Sequence, residues 1–411
     1  MDPVNSKFKD FVQLYAQESV DKLLLSFSGK CEFDLKLAVS TIEVRRRLQK
    51  KVPEWAATEG MVFPNTVSAE QCSSYITALF KQRFFNKNTS VFDLTGGLGV
   101  DSYYISKASK NVIMCERDNL LSECAEHNFR ILGAHNIVVE NISTSESSIS
   151  GLFKKYSETE SNRNDIIAYI DPSRRGSGGE RLRSLRNYEP DLIDIKDSIL
   201  KHSGKIIAKI SPMEDISELM REVKGCKRLH IVSVHDECKE IILEIDDFNK
   251  EIDIGEIPVE AWNYTKDDKW ESVSWTLNEE REIDSVITTP VVDMYLYEPN
   301  SSIMKGGAYK VVANRYSVGK ADKSSHIYFS DKFIANFPGR IFLIEAIYNF
   351  NKKCLAEISS RYSRASISTR NFPLSPVTLR NRLKINEGEK FHIFGTTLPH
   401  NLKKLIVCSK I

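Results

Sequence analysis

The 411-residue chain contains no run of about 18 apolar residues, so no transmembrane helix and no membrane partner are expected. Its start, Met1-Asp2-Pro3-Val4-Asn5, has no basic stretch leading into an apolar core, so no secretory signal is read. Eight cysteines are scattered without Cys-x-x-Cys spacing. That pattern argues against a zinc site and against a disulfide framework, and fits a reducing cytoplasm with no metal. No internal repeat and no low-complexity tract occurs in the sequence.

What is present is an ordinary globular composition, 41% hydrophobic and 27% charged, in a chain too long for one core. The formal net charge of +1 conceals an asymmetry. Residues 236–290 carry 17 acids against 5 bases, whereas residues 331–411 carry 14 bases against 5 acids. A basic C-terminal module suits a polyanion such as RNA, or else simply packs or solvates beside an acidic one.

Residues 1–85 show mostly helical spacing, with Phe8, Phe11, Val12 and Tyr15 on one stripe. Ser68, with Gln71 three residues on, has the spacing of a capping box. From about 86 to 248, short apolar runs alternate with helical stretches, which predicts a parallel sheet with helices on both faces. The runs His230–His235 and Lys239–Ile245 lie too close together for a helical crossover, so they are expected to pair as an antiparallel hairpin. Residues 249–332 read as a small α+β module. Residues 333–411 read as a further one, with a helix at 352–361 and a second opened by Ser375-Pro376 as N-cap and first helical position. Two strand-like runs follow, at 390–395 and 404–408.

The most informative stretch is Val91-Phe92-Asp93-Leu94-Thr95-Gly96-Gly97-Leu98-Gly99-Val100-Asp101, a short apolar strand, a glycine turn and a helix. Glycines after a buried strand allow a tight turn and close approach to main-chain N–H groups. Alone it is a weak signal, since a tight turn needs no ligand. Glu116 ends the next strand, 17 residues after Gly99. An acid there accepts from the two hydroxyls of a ribose, or is a solvated strand end. Asn141 follows the third strand.

A second feature is Tyr169-Ile170-Asp171-Pro172-Ser173-Arg174-Arg175, a buried strand ending in a rigid turn with one carboxylate and two guanidinium groups. Strand carboxyl ends are where open α/β sheets bind ligands, which puts this turn beside the glycine loop. Arg174, Arg175, Arg181 and Arg183 are candidates for phosphate contacts, or form a solvated loop paired with Glu180 and Glu189. Asp-Pro followed by Arg also resembles the uracil-C5 methyltransferases, which implies a cysteine nucleophile in the loop Lys209–Glu214; that loop has none, so a covalent uracil mechanism is not expected.

Together these segments resemble the class I S-adenosylmethionine-dependent methyltransferases of the RNA-modifying kind, over roughly residues 60–246. The resemblance implies a Rossmann-like seven-stranded sheet with S-adenosyl-L-methionine as cofactor. It implies cofactor contacts from Asp93, Thr95, Gly96, Gly97, Gly99, Asp101, Glu116 and Asn141. The glycines would keep side chains out of the path of the cofactor's amino-acid end. It also implies a reaction turn of Asp171, Pro172, Ser173 and Arg174, with Asp171 orienting the acceptor. Ser173 and Arg174 depart from the proline and aromatic that amino-methylating enzymes carry there. Residues around Tyr297-Glu298-Pro299 resemble a ferredoxin-like module, and Asn371–Arg382 with the runs after it resemble a THUMP-like domain, which implies tRNA or rRNA as partner. A methyltransferase for a small molecule or protein, and a non-catalytic RNA-binding protein of the same fold, are the competing expectations.

Overall fold

Short polar side chains set the helix starts throughout the chain. The structure, a computed structural model, describes residues 5–157, 162–174, 188–246 and 253–411. Asn5, Asp34, Asn65 and Ser74 each accept a hydrogen bond from the N–H three residues on, opening the helices Ser6–Leu14, Leu35–Lys51, Thr66–Gln71 and Tyr75–Lys81. The cap expected at Ser68 is therefore at Asn65, and Ser68 donates its N–H to it (2.8 Å). An asparagine carboxamide at the extended residue caps the helix three residues earlier than the spacing of Ser68 and Gln71 suggested.

The chain divides into two compact units, Met1–Lys227 with Ile241–Ile252, and Arg228–Glu240 with Asp253–Ile411. In the first unit, Phe8, Phe11, Leu23, Leu37 and Ile42 form one helical core. Val44, Leu48 and Trp55 join Tyr103, Met114 and Phe129 in another, so the N-terminal helices are built onto the sheet's own helices.

The strands in chain order are β1 (Ser90–Asp93), β2 (Asn111–Cys115), β3 (Ile137–Glu140), β4 (Ile166–Ile170), β5 (Ser173–Arg174), β6 (Tyr188–Glu189), β7 (Lys205–Ile210), β8 (Cys226–Val234), β9 (Glu237–Ile245), β10 (Val259–Tyr264) and β11 (Trp270–Trp275). The main sheet runs β11-β10-β8-β9-β7-β4-β1-β2-β3. Strands β3, β2, β1, β4 and β7 are parallel, and β9 is antiparallel to β7. Every residue of β4 is buried, as a strand covered on both faces requires. The mixed α/β class is as expected, but the sheet has nine strands and not seven. The extra pair is β10, parallel to β8, and β11, antiparallel to β10. In β10 buried and half-buried residues alternate strictly. Such alternation announces a strand but not the sheet it joins, which is why this segment reads as part of a separate module.

The second unit contains another sheet. Its strands are β12 (Tyr295–Pro299), β13 (Gly319–Asp322), β14 (Ser325–Ser330), β15 (Gly339–Asn349), β16 (Ser366–Arg370), β17 (Phe391–Leu398) and β18 (Leu402–Lys410), in the order β13-β14-β12-β15-β18-β17-β16. One side packs Leu296, Phe329, Phe342, Phe394 and Ile406 together. The other packs Ile393, Leu405 and Val407 with Ile358, Leu379 and Leu383 of the helices Lys352–Arg361 and Pro376–Leu383. Ser375 caps the second helix and Pro376 opens it. The buried Glu298 is paired with Arg340 and with Arg370 (2.6 Å). Among the described residues no helix is long and apolar enough to cross a membrane, and no group of three His, Cys, Asp or Glu is set to hold a metal.

Candidate active site at the strand ends

The carboxyl ends of β1, β2, β4 and β7 meet in one hydrogen-bonded assembly within the first unit. Asp93 ends β1 and is almost fully buried. Its carboxyl group accepts from the Thr95 N–H (3.0 Å) and the Ser102 hydroxyl (2.5 Å), fastening both sides of the glycine turn. The turn then crosses to β2, where the Gly96 N–H donates to the Cys115 carbonyl (2.8 Å) and the Gly97 N–H to Glu116 Oε2 (2.9 Å). Glu116 Oε1 accepts from the Asp118 N–H (2.8 Å), so each carboxylate oxygen already holds one backbone donor.

The glycines serve distinct purposes. Gly97 and Gly99 have φ of +55° and +83°, conformations that a side chain disfavours. A Cβ at Gly96 would lie 2.4 Å from Met114, and one at Gly99 2.5 Å from Phe129, so those two positions are closed by the protein's own packing. A Cβ at Gly97 would meet nothing within 4 Å, so the turn has one open face, and it is there.

The β4 end is tied to the same turn. The Asp171 N–H donates to Thr95 Oγ1 (2.6 Å), and the Leu94 N–H to the Tyr169 carbonyl (2.9 Å). Ser173 and Arg174 of β5 then pair with Glu189 and Tyr188 of β6. Arg175, Arg181 and Arg183 lie outside the described residues. On the far side, the Asn141 amide nitrogen donates to the carbonyls of Glu116 (2.9 Å) and Arg117 (3.2 Å), leaving its carbonyl oxygen over.

Sequence reading missed the cations. Lys209, near the end of β7, places its ammonium 2.5 Å from Asp171 Oδ2 and 3.3 Å from the Ser73 hydroxyl. Lys81 is wholly buried, 3.1 Å from Asp101 and 3.1 Å from the same Ser73 hydroxyl. Asp101 also accepts from Ser73 (2.8 Å) and from the Tyr169 hydroxyl (2.7 Å). It is the centre of a buried charge network. Each lysine stands among apolar residues in the sequence, Lys81 at the end of Tyr75–Lys81 and Lys209 between Ala208 and Ile210, where an unpaired cation is costly.

These surroundings separate the acids. Burial pushes the Asp93 carboxyl up to about 7 against the pull of Ser102 and the Thr95 N–H, with Asp101 and Asp171 adding to the rise. Burial works in the same direction on Asp101, but Lys81 and Lys209, with the Tyr169 and Ser73 hydroxyls, hold that group below its ordinary value. Burial, with Asp93 nearby, keeps the Cys115 thiol protonated, so it is no nucleophile.

The Asp93 shift has a sign that can be checked. Well below pH 3.8 the folded and unfolded groups are both protonated and nothing changes. As pH rises from 3.8 toward about 7, the unfolded group ionises first, so stability falls, by on the order of 4 kcal/mol once both forms are ionised. Asp93→Asn is therefore expected to gain on the wild type in urea unfolding as pH goes from 5 to 8. A difference between the two proteins that stays constant over that range refutes the shift.

Comparison with known proteins agrees with this architecture. Residues 295–338 match the ferredoxin-like domain family, and residues 339–410 match the THUMP domain-like family. No curated protein matches the chain. A crystal structure of a candidate methyltransferase from Porphyromonas gingivalis W83 is 32% identical, covers 98% of this chain and 97% of its own, and superposes with a TM-score of 0.87. A candidate methyltransferase from Streptococcus mutans in complex with SAH is 14% identical over 41% of this chain and 96% of its own, with a TM-score of 0.29. An rRNA methylase from Streptococcus thermophilus is 12% identical over 42% and 95%, with a TM-score of 0.28. Likenesses as weak as the last two decide nothing. The first spans both chains almost end to end, and by it this chain belongs to the family of the Porphyromonas gingivalis candidate methyltransferase, with a ferredoxin-like and a THUMP-like domain in its C-terminal half.

Proposed function

We propose that the protein transfers a methyl group from S-adenosyl-L-methionine to a nucleotide of a structured RNA, tRNA or rRNA, without a covalent enzyme intermediate. The observation that carries this reading is the joining of two strand ends: the glycine turn bound to Glu116, and the Asp171 turn bound to that same glycine turn through Thr95.

The residues present fit the cofactor. The open face at Gly97 is the place for close backbone approach. Each Glu116 oxygen holds one N–H and keeps a lone pair for a ribose hydroxyl. Asn141 has its carbonyl oxygen left for the adenine amino group. Asp93, Thr95, Gly96, Gly99 and Asp101 shape and charge the amino-acid end. When bound, the cofactor supplies an electrophilic methyl group. The chain has only to align an acceptor and remove a proton, and Asp171 would do both.

The RNA partner is supported by the match to a THUMP-like domain at residues 339–410 and by the excess of bases there. Arg174, Arg175, Arg181 and Arg183 would add phosphate contacts beside the reaction turn, and the reaction belongs in the cytoplasm.

Calorimetric titration with the cofactor tests the site. Glu116→Ala is expected to weaken binding by about 10–100-fold, the loss of hydrogen bonds to a charged group. Equal affinity in wild type and variant, with both folded, would remove Glu116 from the site, and no heat with the wild type would remove the cofactor. Retained RNA binding at low salt that falls steeply as salt rises separates an RNA enzyme from one acting on a small molecule or protein.

A further inference from the structure

We infer that the methyl acceptor is a ribose hydroxyl of the RNA and not a base nitrogen, with Lys209 stabilising the negative charge that develops on the oxygen. The inference rests on the proposed RNA methyltransferase reading and goes one step further, to the atom.

The first argument is the charge at the reaction turn. Lys209 Nζ lies 2.5 Å from Asp171 Oδ2, so an acceptor held by the carboxylate would meet the ammonium as well. A base amine becomes positive as it takes a methyl group, and an ammonium beside it opposes that charge. A hydroxyl moves the other way. It loses its proton as the bond forms, and a fixed cation at the oxygen is the group that lowers that barrier. The Lys209 ammonium is fixed. Its second hydrogen bond goes to Ser73, and Ser73 is itself held by Lys81 and Asp101.

The second argument is the absence of a stacking platform in the described part of the turn. Asp171-Pro172-Ser173 is followed by Arg174, not by an aromatic residue that would clamp a flipped base. The aromatic opposite Arg174 across the β5–β6 pair is Tyr188. It is buried, with its hydroxyl on Glu214 (2.8 Å), so it offers no ring face to a base.

The step balances simply. The acceptor oxygen forms the bond to the methyl carbon as the sulfonium's S–C bond breaks to leave a thioether, and the hydroxyl proton passes to Asp171 and on to water. Lys209 gives up nothing and holds the oxygen by charge and hydrogen bond.

The test uses the full chain, cofactor labelled in its methyl group, and total RNA from a strain lacking the gene. A methyl on the 2′ oxygen blocks attack on the neighbouring phosphate, so the label is expected in dinucleotides that survive alkali. The strain's own RNA is expected to lack one 2′-O-methylnucleoside by mass spectrometry. Lys209→Met should lower kcat by about 10²–10³-fold, with cofactor and RNA binding each within about threefold of wild type. Lys209→Arg, which keeps the cation, should recover part of the loss. Label in mononucleotides carrying a methylated base overturns the inference and leaves the RNA reading standing. A Lys209→Met enzyme that folds and turns over at the wild-type rate overturns the role of Lys209. Cofactor binding with no label in any RNA removes the RNA reading and the inference together.

Discussion

Lys81→Met is expected to lower the free energy of unfolding by about 3–5 kcal/mol at pH 7, the cost of leaving a buried charge without its partner. Lys81 has no exposed side-chain surface, and Asp101 keeps only 10% of its own. Methionine fills the same volume, so the loss reports charge rather than packing. Urea unfolding measures it, and a loss below about 1 kcal/mol would show that Lys209 and the two hydroxyls suffice for Asp101. Adding Asp101→Asn to Lys81→Met should recover a substantial part, because both charges are then gone. The pH dependence follows from the depressed value of Asp101. Its contribution is present above the unfolded carboxyl value of 3.8 and is lost as pH falls through the lower folded one. The double variant should therefore lose less stability in acid than the wild type.

Asp171→Asn is expected to reduce methyl transfer by about 10²–10⁴-fold, the usual range for a positioned general base, with cofactor affinity changed by no more than about threefold. The asparagine keeps the main-chain bond to Thr95 Oγ1 and the shape of the turn. It removes the proton acceptor and leaves Lys209 without its carboxylate. Single-turnover kinetics with saturating cofactor would separate chemistry from binding. A variant with unchanged turnover would show that the proton leaves by another route and would displace Asp171 from the reaction.

The acids at the centre of this site were visible in the sequence, and their partners were not. Asp93 and Glu116 were legible because each stands at the end of a short apolar run followed by turn residues, a local signal. Asp171 was legible for the same reason, with Pro172 fixing the turn. The partners that give those acids their properties were not. Ser73 reaches Asp101 across 28 residues, Tyr169 reaches it across 68, and Lys209 reaches Ser73 across 136. No periodicity carries information over such spans. What the sequence did carry was the anomaly of a lysine in Lys205–Ile210 and another in Tyr75–Lys81, each surrounded by residues that belong in a core.

The sheets show a similar division. Strand-helix alternation with short buried runs was enough to place β1 to β4 and β7 in a parallel sheet and to end it with a hairpin. It was not enough to join β10 and β11 to that sheet, because a half-buried strand fits any edge. Strand β15 went unassigned although Ile341-Phe342-Leu343-Ile344 is apolar. Glu345 and a shift of register against β18 between Ile344 and Ala346 interrupt its alternation.

The second sheet carries one last implication. The ferredoxin-like match ends at residue 338 and the THUMP-like match begins at 339, yet β12 of the first pairs with β15 of the second over five residues, Tyr295 to Pro299. Separating them at that boundary would bare the backbone of two interior strands, the surface from which chains stick to one another. The two matched segments are one object with two labels. In a lineage that gained, lost or exchanged this C-terminal half, they had to travel together.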